Sequence, residues 1–231
     1  MRAAIAALLV AAAAAPAHAD DTFEAKAQGA QRIKQLEDLV WPLTASCDDG
    51  DDTQQRQCKK VRDARAAELA SATLLVDADK DSFTVGTWNA ATKSAPISLS
   101  ACIRCSGLEL DGTTWVVVGT TSPKFEGGKV TAKLHDNGRQ FLDDVTAKNF
   151  AAMAKTARIQ LLAKVPAKAK LVVDGKRVLA LDVIGYRVYM PCDGSIVLAK
   201  PSSGPAEGDK KQCQQTRGQQ IDHRSEQSED R

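Results

Sequence analysis

Near residue 73 the spacing of apolar residues changes from a helical period to an alternation that dominates as far as about residue 200. Over 20–43, apolar side chains recur every three or four positions, which predicts an amphipathic helix. Pro42 is expected to end this helix, because proline lacks the backbone N–H that a helix interior requires. The apolar stripe consists of Phe23, Ala27, Ala30, Ile33, Leu36 and Val40.

A second helix is predicted over 53–72. Asp51 or Asp52 is its expected N-cap, because a carboxylate there accepts hydrogen bonds from the free N–H groups of the first turn. With the first helix it forms a predicted N-terminal helical hairpin over 20–72. The apolar face of this second helix is expected to contain Cys58, Val61, Leu69 and Ala72, with Arg65 interrupting the stripe.

The alternating region, 73–201, is predicted to form a β-rich core domain. Asp79-Lys80-Asp81, Asp111-Gly112 and Asp174-Gly175 each separate two strand patterns and predict hairpins. The two Asp-Gly pairs favour tight turns in which both central residues have positive φ. The flanking strands are predicted at 74–78 and 83–88, at 108–110 and 114–119, and at 171–173 and 178–190.

The remaining core segments predict one helix among further strands. The helix is expected over 146–157, with Phe150, Met153, Ala154 and Ala157 as its buried stripe. His135-Asp136-Asn137-Gly138 is interpreted as a turn. In the long strand 178–190, the apolar side chains expected to face the core change from odd-numbered to even-numbered residues. This change predicts a bulge at Gly185. The other strands are expected at 129–134, 158–165 and 195–199.

These elements predict an α+β fold. Its expected architecture is an antiparallel β-sandwich or barrel of about eight strands, with the N-terminal helical hairpin and one inserted helix.

Residues 202–231 contain few apolar side chains. Such a segment buries too little surface to offset the entropy of ordering it, so it is predicted to be a disordered tail.

The first nineteen residues have the pattern of a secretory signal peptide. Arg2 precedes an apolar run over 3–15, and Ala17-His18-Ala19 forms a small-residue cleavage site after Pro16. The apolar run is shorter than the ~20 residues that a membrane-spanning helix needs. The sequence therefore predicts a signal peptide over 1–19, a periplasmic or extracellular location, and no transmembrane segment.

Charge and aromatic content limit the expected partners. The 31 basic and 29 acidic residues nearly balance. The chain has only 5 phenylalanines, 3 tryptophans and 2 tyrosines. Nucleic acid is therefore not an expected partner, because its binding depends on positive charge and often on aromatic stacking. The expected partner is a protein or another component of the cell envelope.

The chain contains six cysteines, an even number that favours disulfides in an exported protein. Six cysteines allow fifteen pairings, and the sequence alone does not select one. Their clustering suggests that neighbours in the sequence are paired. The disulfide candidates are Cys47 with Cys58, Cys102 with Cys105, and Cys192 with Cys213.

The Cys102-Ile103-Arg104-Cys105 motif is the one local candidate for chemistry. A thioredoxin-like site would need a helix after the first cysteine. A zinc site would need further ligands, such as Cys192, Cys213 or His135. Ser106 excludes haem attachment, which requires histidine at that position. If the segment is a turn, the two cysteines are expected to pair; if it is a strand, each should pair elsewhere, since residues three apart lie ~10 Å apart in a strand.

Two further features of the sequence are candidate sites. Asp77, Asp79 and Asp81 occupy the first, third and fifth positions of a calcium-loop pattern, but Ser82 and Trp88 replace its glycine and glutamate. They are metal candidates, with a solvated hairpin turn as the alternative interpretation. His135 is the one histidine in the predicted core that could act as a general base.

Taken together, these features favour an exported, disulfide-stabilised, non-enzymatic protein with a binding or structural role and no cofactor. The alternative is a thiol–disulfide or metal-dependent enzyme that uses Cys102 and Cys105. An envelope hydrolase is a third option, although the chain has no G-x-S-x-G, H-E-x-x-H or glycine-rich phosphate motif.

Overall fold

The structure is a computed structural model that describes residues 22–127 and 129–204. Its helices are α1 (Phe23–Gln28), α2 (Glu37–Thr44), α3 (Asp52–Ser71) and α4 (Asp144–Ala154). Its strands are β1 (Gln31–Ile33), β2 (Leu74–Ala78), β3 (Phe83–Val85), β4 (Ser94–Ser100), β5 (Cys102–Leu110), β6 (Thr113–Val118), β7 (Phe125–Glu126), β8 (Lys129–Val130), β9 (Lys133–Gln140), β10 (Arg158–Lys164), β11 (Lys170–Val173), β12 (Lys176–Ala180), β13 (Asp182–Tyr189) and β14 (Ile196–Lys200).

The strands of this part of the chain form four sheets. Their orders are β1-β2-β10-β13-β14, β11-β12-β6-β5, β3-β4-β9 and β7-β8. The predicted α+β class is confirmed. The barrel alternative is wrong for the described residues, because none of these sheets closes. The strand number also exceeds the predicted eight, and the pairs β1–β2 and β6–β12 are parallel rather than antiparallel.

The single helix predicted over 20–43 is wrong. α1 ends at Gln28, residues 31–33 form β1, and α2 then runs through Pro42 instead of ending at it. The reason is tertiary: β1 pairs with β2, so 31–33 obtain their backbone hydrogen bonds from a neighbouring strand. The apolar stripe is still buried at Phe23, Ile33 and Val40, but in three separate elements.

The second predicted helix is confirmed as α3. The Asp51 carboxylate accepts hydrogen bonds from the N–H groups of Thr53 and Gln54, and the Gln54 side chain accepts one from the Asp51 N–H. This reciprocal capping fixes the start of the helix. The predicted apolar face is largely wrong, since Leu69 is the one buried residue of α3 and Val61 is 44% exposed.

Both Asp-Gly hairpins are confirmed. Asp111 and Gly112 have φ of 49° and 68°, and Asp174 and Gly175 have φ of 50° and 73°. These values match the two-residue turn that suits the twist of paired strands. The hairpins join β5 to β6 and β11 to β12.

The third predicted hairpin, around residues 79–81, is wrong. β2 pairs with β1 and β10, whereas β3 pairs with β4, so the strands on the two sides of this turn enter different sheets. The turn between them contains a short 3₁₀ segment, Lys80–Ser82. Local turn chemistry gave the position of the reversal but not the partners of the strands.

Two predictions around residues 135–157 need correction. His135 to Gly138 lie within β9 and pair with β4, so the predicted turn is wrong. The inserted helix is confirmed as α4, with Asp143 as its N-cap. Phe150 is buried as predicted, but Met153 is 49% exposed.

The long strand predicted over 178–190 is divided at Leu181 between two sheets. β12 lies in the four-stranded sheet and β13 in the five-stranded sheet. The predicted bulge is confirmed, because Leu162 pairs with Gly185 and Ala163 with Val183, which leaves Ile184 as the extra residue. Both sheets contribute to one main core, whose buried members from this stretch are Leu179, Leu181, Tyr186, Val188 and Met190.

The first residues of the predicted tail, 202–204, are fixed on α1. The Phe23 N–H donates a hydrogen bond to the Ser202 carbonyl at 3.0 Å. The rest of the predicted tail, 205–231, lies outside the described residues, as does the predicted signal peptide over 1–19.

Candidate binding cleft beside the Cys102–Cys105 disulfide

The CxxC motif lies in an irregular part of strand β5. Cys102 pairs with Val118 and Leu108 with Trp115, so β5 advances six residues while β6 advances three. The extra residues bulge out of the ladder, and Gly107 accommodates the bend with a φ of 91°. Strand pairing continues on both sides of the bulge.

The bulge allows the two cysteines of one strand to bond to each other. The structure joins Cys102 to Cys105, with their Cα atoms 5.6 Å apart. This distance is within the disulfide range, whereas a regular strand would hold the residues ~10 Å apart. The expectation that a strand would force each cysteine to pair elsewhere is therefore wrong, because it did not include a bulge.

The surroundings of the disulfide differ from those of a thioredoxin-like site. The motif continues along β5 and no helix begins there, so the device that lowers the pKa of a catalytic thiol is absent from this position. Cys105 is half-buried and packs against a small apolar cluster on one face of the four-stranded sheet. The buried members of that cluster are Val116, Val118, Val178 and Ala180.

The two Asp-Gly turns lie side by side next to this disulfide. β6 and β12 begin directly after the turns and run parallel, with Val116 paired to Val178. Parallel pairing puts the starts of the two strands, and therefore both turns, at the same end of the sheet. Arg177 Nη1 donates a hydrogen bond to Thr113 Oγ1 at 3.1 Å and links the two strand starts.

An open cleft of about 470 Å³ lies between the turns and the disulfide. Two cations, Lys176 and Arg177, line it, together with the hydroxyl-bearing residues Ser106, Thr113 and Thr114. Gly112, Gly175, Val116 and Cys105 complete the lining, which includes no carboxylate. Lys176 Nζ lies 5.1 Å from the centre of the Phe125 ring, a cation–π distance that favours this position of the ammonium group.

This arrangement can bind an anion. An ammonium, a guanidinium and three hydroxyl groups all donate hydrogen bonds, and charged donors form the stronger ones. The cleft was missed in the sequence because it depends on the parallel pairing of two distant hairpins. The sequence feature that could have indicated the cleft is that each Asp-Gly turn is followed by a pair of polar residues, Thr113-Thr114 and Lys176-Arg177.

The structure does not bring the three candidate metal ligands, Asp77, Asp79 and Asp81, together into a site. Asp77 forms an ion pair with Arg32 at 3.3 Å, and Asp79 lies 3.5 Å from Arg104 Nε. Asp81 belongs to the 3₁₀ segment. Across residues 22–127 and 129–204, no three His, Cys, Asp or Glu residues are placed to hold a metal ion together.

The other disulfide candidates lie outside the cleft. Cys47 bonds to Cys58, with 5.6 Å between their Cα atoms, and attaches α3 to the loop before it. Cys192 is also disulfide-bonded. Its predicted partner, Cys213, lies outside the described residues.

His135 contacts another strand rather than a cleft. Its Nδ1 lies 3.4 Å from the hydroxyl of Tyr186, which is buried in the main core. Burial raises the pKa of Tyr186, so its phenol remains protonated at neutral pH and can donate to the imidazole. The pair therefore connects β9 to β13.

In the described part of the chain, no helix has the length and apolar character needed to cross a membrane. Comparison with family models, with curated proteins and with solved structures gives no match.

Proposed function

We propose that this chain is an exported, disulfide-stabilised binding protein without enzymatic activity. It binds an anionic group of its ligand in the cleft beside the Cys102–Cys105 disulfide. The observation that carries the proposal is the lining of the cleft, in which two cations and three hydroxyl groups surround an open volume. The signal-peptide pattern over 1–19 and the disulfides support a periplasmic or extracellular location.

The cleft is suited to recognition because its donors are held in place before a ligand arrives. Arg177 is linked to Thr113, and Lys176 lies beside the Phe125 ring. Donors fixed in advance lose less conformational freedom on binding. Both cations are exposed, however, so solvent and salt screen their charge and the affinity for a simple anion should be modest and salt-sensitive.

One observation favours the alternative, a thiol–disulfide enzyme. Cys105 lines the open cleft, so an attacking thiolate could reach the disulfide from there. Against this, the motif lies on a strand and has no helix N-terminus to stabilise the thiolate that such catalysis requires. The two functions differ in a measurable way, because only the enzyme would turn over a small-molecule disulfide.

The test is an NMR titration of the ¹⁵N-labelled protein, without residues 1–19, with inorganic phosphate, sulfate, acetate and uncharged glycerol. We expect saturable shifts of the Gly112 and Gly175 amide signals with the anions and none with glycerol. The double variant Lys176→Gln/Arg177→Gln should weaken binding at least tenfold.

The matched control is Lys164→Gln/Lys168→Gln, which removes the same charge from exposed positions outside the cleft. It should change the affinity less than twofold. Absence of saturable shifts, or an equal loss of affinity in both double variants, would overturn the proposed binding site. Turnover of a small-molecule disulfide above the rate of a free dithiol would instead favour the enzyme.

A further inference from the structure

Strand β11 has an outer edge that no other strand covers in the described part of the chain. It is the end strand of the four-stranded sheet and pairs with β12 alone. An edge strand presents unpaired backbone N–H and C=O groups to its surroundings. Such an edge can accept an added strand from another protein.

The register shows which backbone groups face outward. In a hairpin with a two-residue turn, the residues that flank the turn, here Val173 and Lys176, form a hydrogen-bonded pair. Bonded and non-bonded pairs then alternate along an antiparallel ladder. The N–H and C=O groups of Val172 and Lys170 therefore point away from β12. The Ala180 N–H donates to the Ala169 carbonyl at 2.8 Å, which continues the same alternation beyond β11.

The side chains along this edge alternate between a packed and an exposed face. Leu171 and Val173 pack against the small apolar cluster that also contacts Cys105. Val172 is 75% exposed, so an apolar side chain faces solvent on an unpaired edge strand. Edges of this kind are normally protected by proline, a bulge or charge. β11 has neither a proline nor a bulge, and Lys170 is its one charged residue.

The charge around β11 indicates the kind of strand that would pair with it. Between residues 164 and 177 there are five basic residues and a single acidic one, Asp174. A second copy of this chain would place one basic hairpin against another, and like charges across a strand pair are destabilising. An acidic segment would be attracted instead. The basic residues are Lys164, Lys168, Lys170, Lys176 and Arg177.

We propose that the outer edge of β11 binds an extended, acidic segment of a partner protein, which adds a fifth strand to the four-stranded sheet. The backbone groups of Lys170 and Val172 pair with the segment, and the basic residues attract its carboxylates. Apolar side chains at alternate positions of the segment cover Val172. The pairing edge itself differs from the cleft beside the Cys102–Cys105 disulfide, which lies on the other side of β12 toward β6. The two sites share Lys176 and Arg177, which line that cleft and also belong to the basic group around β11.

The probes are two eight-residue peptides, one alternating glutamate with valine and the other alternating lysine with valine. Binding is measured by fluorescence anisotropy, and amide hydrogen exchange is measured with and without peptide. The acidic peptide should bind with 1:1 stoichiometry, slow the exchange of the Lys170 and Val172 amides, and bind more weakly as salt is added. The lysine peptide should not bind detectably.

The diagnostic variant is Val172→Pro. It removes an N–H that points outward, so the β11–β12 ladder keeps all its hydrogen bonds, and proline is tolerated at such edge positions. The matched control is Val172→Thr, which keeps the N–H and a β-branched side chain. We expect the acidic peptide to bind Val172→Pro at least tenfold more weakly than the original protein, and Val172→Thr within threefold.

A second measurement does not depend on the fold of any variant. An acidic peptide with N-methyl groups along its pairing edge should bind at least tenfold more weakly than the unmodified one. The proposal would be overturned if the N-methylated and unmodified acidic peptides bound equally well. It would also be overturned if the lysine peptide bound as tightly as the acidic one, or if Val172→Pro bound the acidic peptide with full affinity. Protection of the Lys170 and Val172 amides in the full chain alone would overturn it too, because this chain or a second copy would then already cover the edge.

Discussion

Arg187 on β13 donates a hydrogen bond to Glu24 Oε1 on α1 at 3.0 Å, across 163 residues of sequence. The Arg187 guanidinium also donates to Gln160 Oε1 at 2.9 Å. It lies over two rings, 4.8 Å from the centre of Phe23 and 5.3 Å from that of Tyr189. Arg187 therefore fixes α1 to the five-stranded sheet.

Glu24 extends this contact to the segment after β14. Its carboxylate accepts hydrogen bonds from the Ser203 hydroxyl and from the Gly204 N–H. The first and last segments that the structure describes are thereby held together through one carboxylate.

Replacing Arg187 with alanine should destabilise the fold by about 2–3 kcal/mol, because it leaves the buried Gln160 amide oxygen without its donor and removes the ion pair with Glu24. The partial exposure of Glu24 keeps the cost below that of a fully buried pair. Urea unfolding measures the change. Arg158→Ala, at an exposed position on β10, is the control and should cost less than about 0.5 kcal/mol. Equal losses in the two variants would contradict this role of Arg187.

The stability that Glu24 provides should depend on pH. Burial raises the pKa of Glu24, but hydrogen bonds from Ser203 and from backbone N–H groups, with the charge of Arg187, outweigh it and hold this pKa below its ordinary value. A carboxyl whose pKa is lower in the folded state stabilises the fold above its unfolded pKa, about 4.3, and loses that effect as the pH falls through the folded pKa. Glu24→Gln should therefore be less stable than the original protein at pH 7.

The comparison requires urea midpoints of both proteins between pH 7 and pH 3. The stability difference between them should shrink as the pH falls below about 4.3, because the original protein then also carries an uncharged side chain at position 24. A difference that stays constant over this range would show that the charge of Glu24 does not contribute.

The Cys47–Cys58 disulfide should hold α3 against the rest of the molecule. α3 buries only Leu69, so apolar packing gives little to keep it in place. Replacing both cysteines with alanine should cost about 2–3 kcal/mol for a loop of this length. Hydrogen exchange should rise mainly within α3, with the five-stranded sheet little changed. A uniform increase in both regions would mean that the disulfide stabilises the whole fold instead.

Two glycines with positive φ should respond differently to substitution by alanine. A Cβ at Gly112 would contact nothing within 4 Å, so Gly112→Ala should cost only the backbone strain of about 1–2 kcal/mol. A Cβ at Gly107 would lie 2.5 Å from Thr114 Cγ2. Gly107→Ala should therefore cost about 1–3 kcal/mol more than Gly112→Ala, since overpacking adds to the strain.

The substitution Thr114→Ser provides the internal test of this difference. It removes the Cγ2 methyl, so in its background Gly107→Ala should cost about as much as Gly112→Ala. Thermal unfolding compares five proteins: the original protein, Gly112→Ala, Gly107→Ala, Thr114→Ser and the double variant Gly107→Ala/Thr114→Ser. No rescue by Thr114→Ser would mean that the bulge of β5, rather than contact with Thr114, requires glycine at 107.

The sequence was informative where structure depends on neighbouring residues. Asp111-Gly112 and Asp174-Gly175 were predicted as hairpin turns because few residues other than Gly, Asn and Asp adopt positive φ easily. The start of α3 was predicted because Asp51 can cap the helix with its own side chain. In each case the determining contact lies within a few residues.

The wrong predictions concern contacts between distant segments. Residues 31–33 have a helical pattern but form a strand because β2 supplies their hydrogen bonds. The bulge that joins Cys102 to Cys105 depends on how β5 pairs with β6. The anion cleft requires parallel pairing of Trp115 with Arg177, which no local motif indicates. The Arg187–Glu24 contact was likewise missed, because neither residue stands out in the sequence.

The most direct test of the account is a disulfide map of the protein without residues 1–19 by non-reducing peptide mass spectrometry, during titration with a mild reductant. We predict that the Cys102–Cys105 bond is present and withstands the mild reductant. Strand pairing on both sides of the bulge holds the two cysteines at disulfide distance. When a reductant thiolate attacks one sulfur, the freed cysteine thiolate can therefore attack the mixed disulfide, expel the reductant and restore the bond. If Cys102 and Cys105 are instead free, or are the first pair to be reduced, the motif is a working redox site and the proposed binding protein is wrong.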